Sequence, residues 1–157
     1  ISHRPQIDDE RVQTALATLS GYHDFHNLTP NSEGTVRDLT ATAQREGAFL
    51  LIRVAAGGFP REFVRRLVGL LREVGTGSAD QAFVERALEP TPLEGPDGIG
   101  PAPAAPLVLT DVDYPDCRFE PDEEAVERVK TIFGDRQATA RANARVAGLI
   151  WQMVSEG

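Results

Sequence analysis

Apolar residues recur every three or four positions between Asp8 and Leu19, at Val12, Ala15, Leu16 and Leu19, which predicts an amphipathic helix. Asp8 and Asp9 stand where they can cap its start, and Gly21 is placed to end it. A polar loop follows. Residues 35–43 and 48–56 are rich in β-formers and read as two strands of a hairpin, joined through Gln44-Arg45-Glu46-Gly47. Gly57-Gly58-Phe59-Pro60 then punctuates the chain, with the proline suited to a first helical turn. Residues 60–74 carry the strongest helical pattern of all. Phe63, Leu67, Leu70, Leu71 and Val74 gather on one side of it, and Gly75 and Gly77 stop it. A shorter helical stretch spans residues 79–88.

Residues 89–106 hold 6 of the 11 prolines, which predicts an irregular connection rather than a core element. Strand character returns at residues 107–114, and Pro115 closes it. Two final helices are expected, near 122–133 and 135–154. The first of these places Ala125, Val126, Val129, Ile132 and Phe133 on one face, with acids early and Arg128 and Lys130 late, as the helix dipole favours. No internal repeat is present. A hairpin, several helices and a returning strand together predict an α+β fold, an antiparallel sheet with packed helices.

Composition narrows the class. The chain's 157 residues suffice for one folded unit, 41% apolar content is too high for a disordered acidic tail, and no apolar run is long enough to span a bilayer. The single Cys117 excludes an internal disulfide and a thiolate-rich metal site, and fits a reducing cytoplasm. Arginine supplies 15 of the 16 basic residues, Lys130 being the one lysine, and the net charge is −8. Such acid-rich surfaces point to a salt-adapted organism, although high-GC codon usage also supplies arginine and alanine. Ile1 begins the chain with no charged-then-apolar leader behind it, which reads as a piece of something longer.

The charge is unevenly distributed. Residues 35–77 carry seven arginines against four acids, whereas residues 80–127 carry two arginines against thirteen acids. Stepping 100° per residue along the helix expected from Pro60 puts Arg61, Arg65 and Arg72 within roughly 40° of one another, nearly opposite the apolar side. The plain reading of this stripe is a solvated face pairing with Glu62 and Glu73. The sharper one is an anion site, because arginine forks match phosphate or carboxylate, and RNA phosphate is one candidate. An acidic protein is ordinarily a poor nucleic-acid binder, but a local basic groove changes that for one face. His23 and His26 flank Asp24 without an HExxH pattern, so metal binding has little support. Cys117 lacks an activating motif, and GxSxG, P-loop and GxGxxG motifs are absent.

Three stretches in order carry a family resemblance: Gly21-Tyr22-His23-Asp24-Phe25; the run from Gly58 to Gly75, GFPREFVRRLVGLLREVG; and the run from Ala102 to Pro115, APAAPLVLTDVDYP. Together they resemble the C-terminal half of the A-type tRNA pseudouridine synthases, in an archaeal and haloarchaeal form. The second run looks like that family's GFxRxMVRxxVGxLxEVG segment and the third like its APAxGLxLxxVxY segment. The resemblance implies a synthase domain over residues 1–115 and a helical extension packed on it over 116–157. Arg65 stands where the family has an active-site arginine that pairs with the catalytic aspartate, and Leu107 where a leucine packs against the target base. Arg61 occupies a basic position near the RNA-facing cleft, Arg37 matches an arginine on the preceding strand, and Arg72 continues the stripe. Pro60 and Phe63 depart from the family's leucine and methionine, and Ala105-Pro106 from its residue-glycine pair, which touches loop shape near Leu107. The family's RTDxGVH motif, with its catalytic aspartate, occurs nowhere in the 157 residues. The resemblance therefore implies a C-terminal fragment of a cytoplasmic enzyme that isomerises uridine in tRNA, as a homodimer, without metal, organic cofactor or membrane. The competing expectations are a non-enzymatic RNA-binding or assembly module, and arginines that only solubilise an acidic domain.

Overall fold

Asp8 takes an extended backbone and its carboxylate accepts the Arg11 N–H at 3.1 Å, so helix α1 (Asp9–Leu19) begins as its sequence dictates. The computed structural model describes residues 6–95 and 98–155, so His3, and Pro96 and Asp97 of the proline-rich connection, lie outside the described residues. Val12, Ala15, Leu16 and Leu19 of α1 are all buried. The helix ends at Ser20, whose N–H and hydroxyl both return to the Leu16 carbonyl. Gly21 is not the stop expected of it. With φ of 101° it opens a short strand, β1 (Gly21–Asp24), inside the stretch that reads as a polar loop. Four residues with two polar side chains are too short a run to show a period.

The hairpin forms from β2 (Val36–Glu46) and β3 (Phe49–Ala55), giving an antiparallel sheet of order β1-β2-β3. Gln44, Arg45 and Glu46, expected in the turn, pair instead with Leu51, Leu50 and Phe49. The turn contracts to Gly47-Ala48 because Gly47, at φ 58°, is the residue that enters left-handed space without a Cβ penalty. Leu39, Ala41 and Ala43 of β2, with Leu50, Ile52 and Val54 of β3, belong to or pack against the core. α1 is tied to β2 by the Gln13 side-chain amide, which donates to the Ala43 carbonyl at 2.6 Å.

Helix α2 (Phe63–Thr76) starts three residues later than its sequence predicts. Glu62 sits at φ 58°, the one left-handed non-glycine residue described, and this breaks the right-handed path between Pro60 and Phe63. The expected apolar side is the buried side: Phe63, Leu67, Leu70, Leu71 and Val74 join Val12 and Leu16 of α1 in one cluster. Gly77, at φ 78°, ends α2 by donating to the Val74 carbonyl while Ser78 donates to Glu73. Helix α3 (Gln81–Ala87) is capped by Asp80, which accepts the Phe83 N–H at 2.9 Å.

The connection after α3 contains no strand and no α-helix among the described residues. Asn27 holds its first part, donating through Nδ2 to the carbonyls of Ala87, Glu89 and Thr91 and accepting the Leu93 N–H on Oδ1 at 2.8 Å.

The chain divides into two compact units, residues 1–108 and 109–157. Residues 107–114 form no strand, contrary to their β-forming composition. A strand exists only as a member of a ladder, and no described residue pairs with this segment. The two tail helices are one: α4 runs unbroken from Glu123 to Ser155, capped by Asp122, which accepts the Ala125 N–H at 2.7 Å. Gly134 does not divide it, since a glycine costs a helix interior only about 1 kcal/mol. None of its described residues is buried, and Val126, Val129, Ile132 and Phe133, which share one face, are exposed.

Candidate functional site

Two neighbouring arginines on the first turn of α2 meet the proline-rich connection. Arg65 donates through Nε to the Ala102 carbonyl at 2.7 Å, and the Ala102 N–H returns to the Arg65 carbonyl at 2.8 Å. Arg66 donates through Nη1 to the Ile99 carbonyl at 2.7 Å. One turn further, a methyl group on Gly69 would overlap the Gly100 carbonyl oxygen, so glycine at this position is what lets the two backbones touch.

The Nε bond fixes the plane of the Arg65 guanidinium. Its two terminal nitrogens form no hydrogen bond or ion pair among the described residues, and the side chain is half-buried. A planar fork held at its base and open at its tips suits a carboxylate or phosphate. Leu107 follows Ala102 by five residues, its N–H closing a turn on the Ala104 carbonyl at 3.0 Å, and its side chain is 49% exposed. Arg65 and the segment that carries Leu107 are thus joined through Ala102.

The other candidates occupy different settings. Arg37 does not stand free: Nε donates to the Gly58 carbonyl at 2.8 Å and Nη1 to its neighbour Val36, so this strand residue holds the loop that leads into α2. Arg61 falls outside the helix, before the left-handed Glu62, and the three-member stripe reduces to Arg65 and Arg72, seven residues apart and about 20° offset. The Arg61 carbonyl accepts the buried Thr29 hydroxyl at 2.8 Å while its side chain is exposed. The Arg72 side chain is exposed as well, and neither it nor that of Arg61 makes a hydrogen bond or ion pair among the described residues.

Beside this loop, Asp24 accepts the Thr35 hydroxyl at 2.6 Å and the His26 N–H at 3.1 Å. The Thr35 bond, followed by the His26 amide, holds the Asp24 carboxyl below the usual carboxylate range. His23 shares a hydrogen with the Ser20 carbonyl, and no group of three or more His, Cys, Asp or Glu residues able to hold a metal occurs among the described residues. No described helix is long and apolar enough to cross a membrane. Sequence reasoning missed Arg66, Glu62 and Gly69 as parts of the site. The adjacent arginines and the glycine one turn on were visible, but not the carbonyls they meet.

Comparison with known proteins identifies the family. A family model described as tRNA pseudouridine synthase matches residues 15–115, a span that includes Arg37, Arg61, Arg65, Arg72 and Leu107. Among curated relatives, tRNA pseudouridine synthase A of Haloarcula marismortui is 50% identical over 145 residues, covering 92% of this chain and 52% of the relative. The enzyme of the same name from Natronomonas pharaonis is 46% identical over 146 residues, covering 93% and 55%. That of Halobacterium salinarum is 49% identical over 140 residues, covering 89% and 52%. The chain spans about half the length of the curated relatives it matches. A motif-bearing helix, a match over most of the sequence and haloarchaeal relatives at this identity agree: the chain belongs to the tRNA pseudouridine synthase family.

Proposed function

We propose that this chain is the C-terminal portion of a cytoplasmic tRNA pseudouridine synthase that isomerises uridine in the anticodon arm, with the nucleophilic aspartate in an N-terminal half. The observation that carries this reading is the state of Arg65, oriented through Nε yet, among the described residues, open at both terminal nitrogens. A cation there would keep an incoming aspartate ionised and aligned at neutral pH. That aspartate attacks the ribosyl uracil, directly or by way of a glycal; the base is released, turned and rejoined through carbon. Leu107 would exclude water and support the detached uracil in a snug pocket. Arg37, Arg61 and Arg72 supply charge toward tRNA phosphates. Residues 1–115 act as the synthase domain and 116–157 as a helical extension, the enzyme works as a homodimer, and the chemistry needs neither metal nor organic cofactor.

The test joins this chain to a segment bearing RTDxGVH. The 157 residues alone form no pseudouridine, and the joined protein does. In that protein Arg65→Ala lowers turnover on tRNA by about 10²–10³, the loss typical of a removed charge-stabilising donor; near-unchanged turnover would overturn the assigned role.

A second reading, a non-enzymatic RNA-binding or assembly module, is favoured by the exposed side chains of Arg61 and Arg72. It requires tRNA binding by these 157 residues alone that weakens steeply with salt.

A further inference from the structure

We infer that Arg66, held by Glu62, is a positioning residue that fixes the segment carrying Leu107 against Arg65. This rests on the synthase reading above. Arg66 has all its observed bonds committed: Nε and Nη2 donate to a single Glu62 carboxylate oxygen at 3.2 and 2.9 Å, and Nη1 donates to the Ile99 carbonyl at 2.7 Å. Both side chains are about three-quarters buried, at 24% and 26% exposure, so the pair is shielded beyond what an exposed i,i+4 bridge offers.

Glu62 reaches Arg66 from a left-handed backbone, at φ 58°, a conformation that a non-glycine residue adopts at a cost. The surroundings hold it there. Thr29 binds the carbonyl of Arg61, and the Glu62 carbonyl accepts the Arg66 N–H at 2.9 Å. Glu62 and Arg66 are therefore joined through both backbone and side chains.

The effect falls on the connection. Ile99, 2% exposed, is anchored by its side chain in the core and by its carbonyl on Arg66. Gly100 lies against Gly69, and Ala102 is bonded twice to Arg65. Residues 99–102 are thus registered along α2 at three successive points. Arg66 sets the first together with the buried Ile99 side chain, so its loss loosens the segment along Gly69 and shifts Ala102, with the stretch leading to Leu107, relative to the Arg65 guanidinium. The consequence is a change in the relative placement of two site residues, with neither one altered.

Three variants of the complete protein, carrying both halves, test this: Arg66→Gln, Arg66→Lys, and the exchange Glu62→Arg with Arg66→Glu. Single-turnover isomerisation, tRNA Kd and amide exchange at Ala102 are measured for each. Misplacement by about 1 Å predicts a loss of about tenfold to a hundredfold in single-turnover rate for Arg66→Gln, with Kd within about twofold of the parent. Ala102 exchange rises by about tenfold or more in the same variant, as a local opening becomes easier. Arg66→Lys, which keeps one donor for Ile99, recovers part of the rate. The exchanged pair restores opposite charges but cannot donate to Ile99, so it stays as slow as Arg66→Gln. Recovery of the rate by the exchanged pair, or unchanged Ala102 exchange in Arg66→Gln, overturns the inference. A parent that forms no pseudouridine refutes the synthase reading, while Ala102 exchange still judges the clamp.

Discussion

Helices α2 and α4 are each about half apolar, yet one is built into a core and the other has no buried residue. The 14 residues of α2 include Phe63, Leu67, Leu70, Leu71, Val74 and Gly75 as buried positions. The 33 residues of α4 include none, and Val129, Phe133, Ile150, Trp151 and Met153 are all exposed. Periodicity identifies which side of a helix wants cover, but it does not supply the cover. For α2 the cover includes α1, whose own apolar stripe reaches the same cluster. Within its own unit α4 draws on local terms: the Asp122 cap, the Glu124–Arg128 and Glu127–Lys130 pairs, and length.

The sharpest way to break this contrast is to truncate one apolar residue on each helix. Leu67→Ala should cost about 2–5 kcal/mol in denaturant unfolding, and Ile150→Ala less than about 0.5 kcal/mol. An equal cost at Ile150 would mean that α4 is covered in solution. Next comes Gly69→Ala, where the added methyl must displace the Gly100 backbone; a loss of about 1–3 kcal/mol is expected. Gly148→Ala on α4 meets nothing within contact distance and should stabilise by about 0.5–1 kcal/mol through helix propensity. Asp80→Ala removes the cap of α3 at a cost of about 1 kcal/mol, read as a fall in melting temperature. The smallest effect concerns charge. Asp24 has a lowered carboxyl pKa in the folded state, so its contribution is present above the unfolded value and fades as pH falls through the folded one. Thr35→Val removes the main cause, so the Asp24 titration followed by NMR should move up toward the ordinary carboxylate range. The stability gap between parent and variant should then close on acidification, while Glu124→Gln on α4 changes stability by less than about 0.5 kcal/mol.

Much of the first unit is legible in the sequence because its elements answer to local rules. α1 is announced by Asp8 and a four-residue apolar stripe, and α2 by its buried side. β1 is too short to show its period, and the hairpin turn depends on one glycine taking positive φ. The start of α2 departs from the sequence pattern because proline's preference for a first turn is a local statistic, whereas Glu62 turns left-handed next to Arg61, whose carbonyl accepts a bond from Thr29, 32 residues away. Residues 107–114 have the composition of a strand without a partner strand, and pairing is not a property of one segment. Of the candidate site, the sequence marks Arg65 through a motif and its place opposite the apolar side of α2, but not the Ala102 carbonyl that it meets 37 residues away. Arg66 it does not mark, because its meaning lies in the Ile99 carbonyl, 33 residues away.

Asn27 carries a consequence for how the chain reaches this state. Its amide binds carbonyls 60, 62 and 64 residues downstream, and its oxygen takes an N–H 66 residues downstream. On a ribosome adding about 5–20 residues per second, roughly 3–13 s separate the synthesis of Asn27 from that of its partners. Water must serve the amide through that interval. The 3-10 turn at His26–Leu28 is therefore among the first parts of its unit to be made and among the last to be finished.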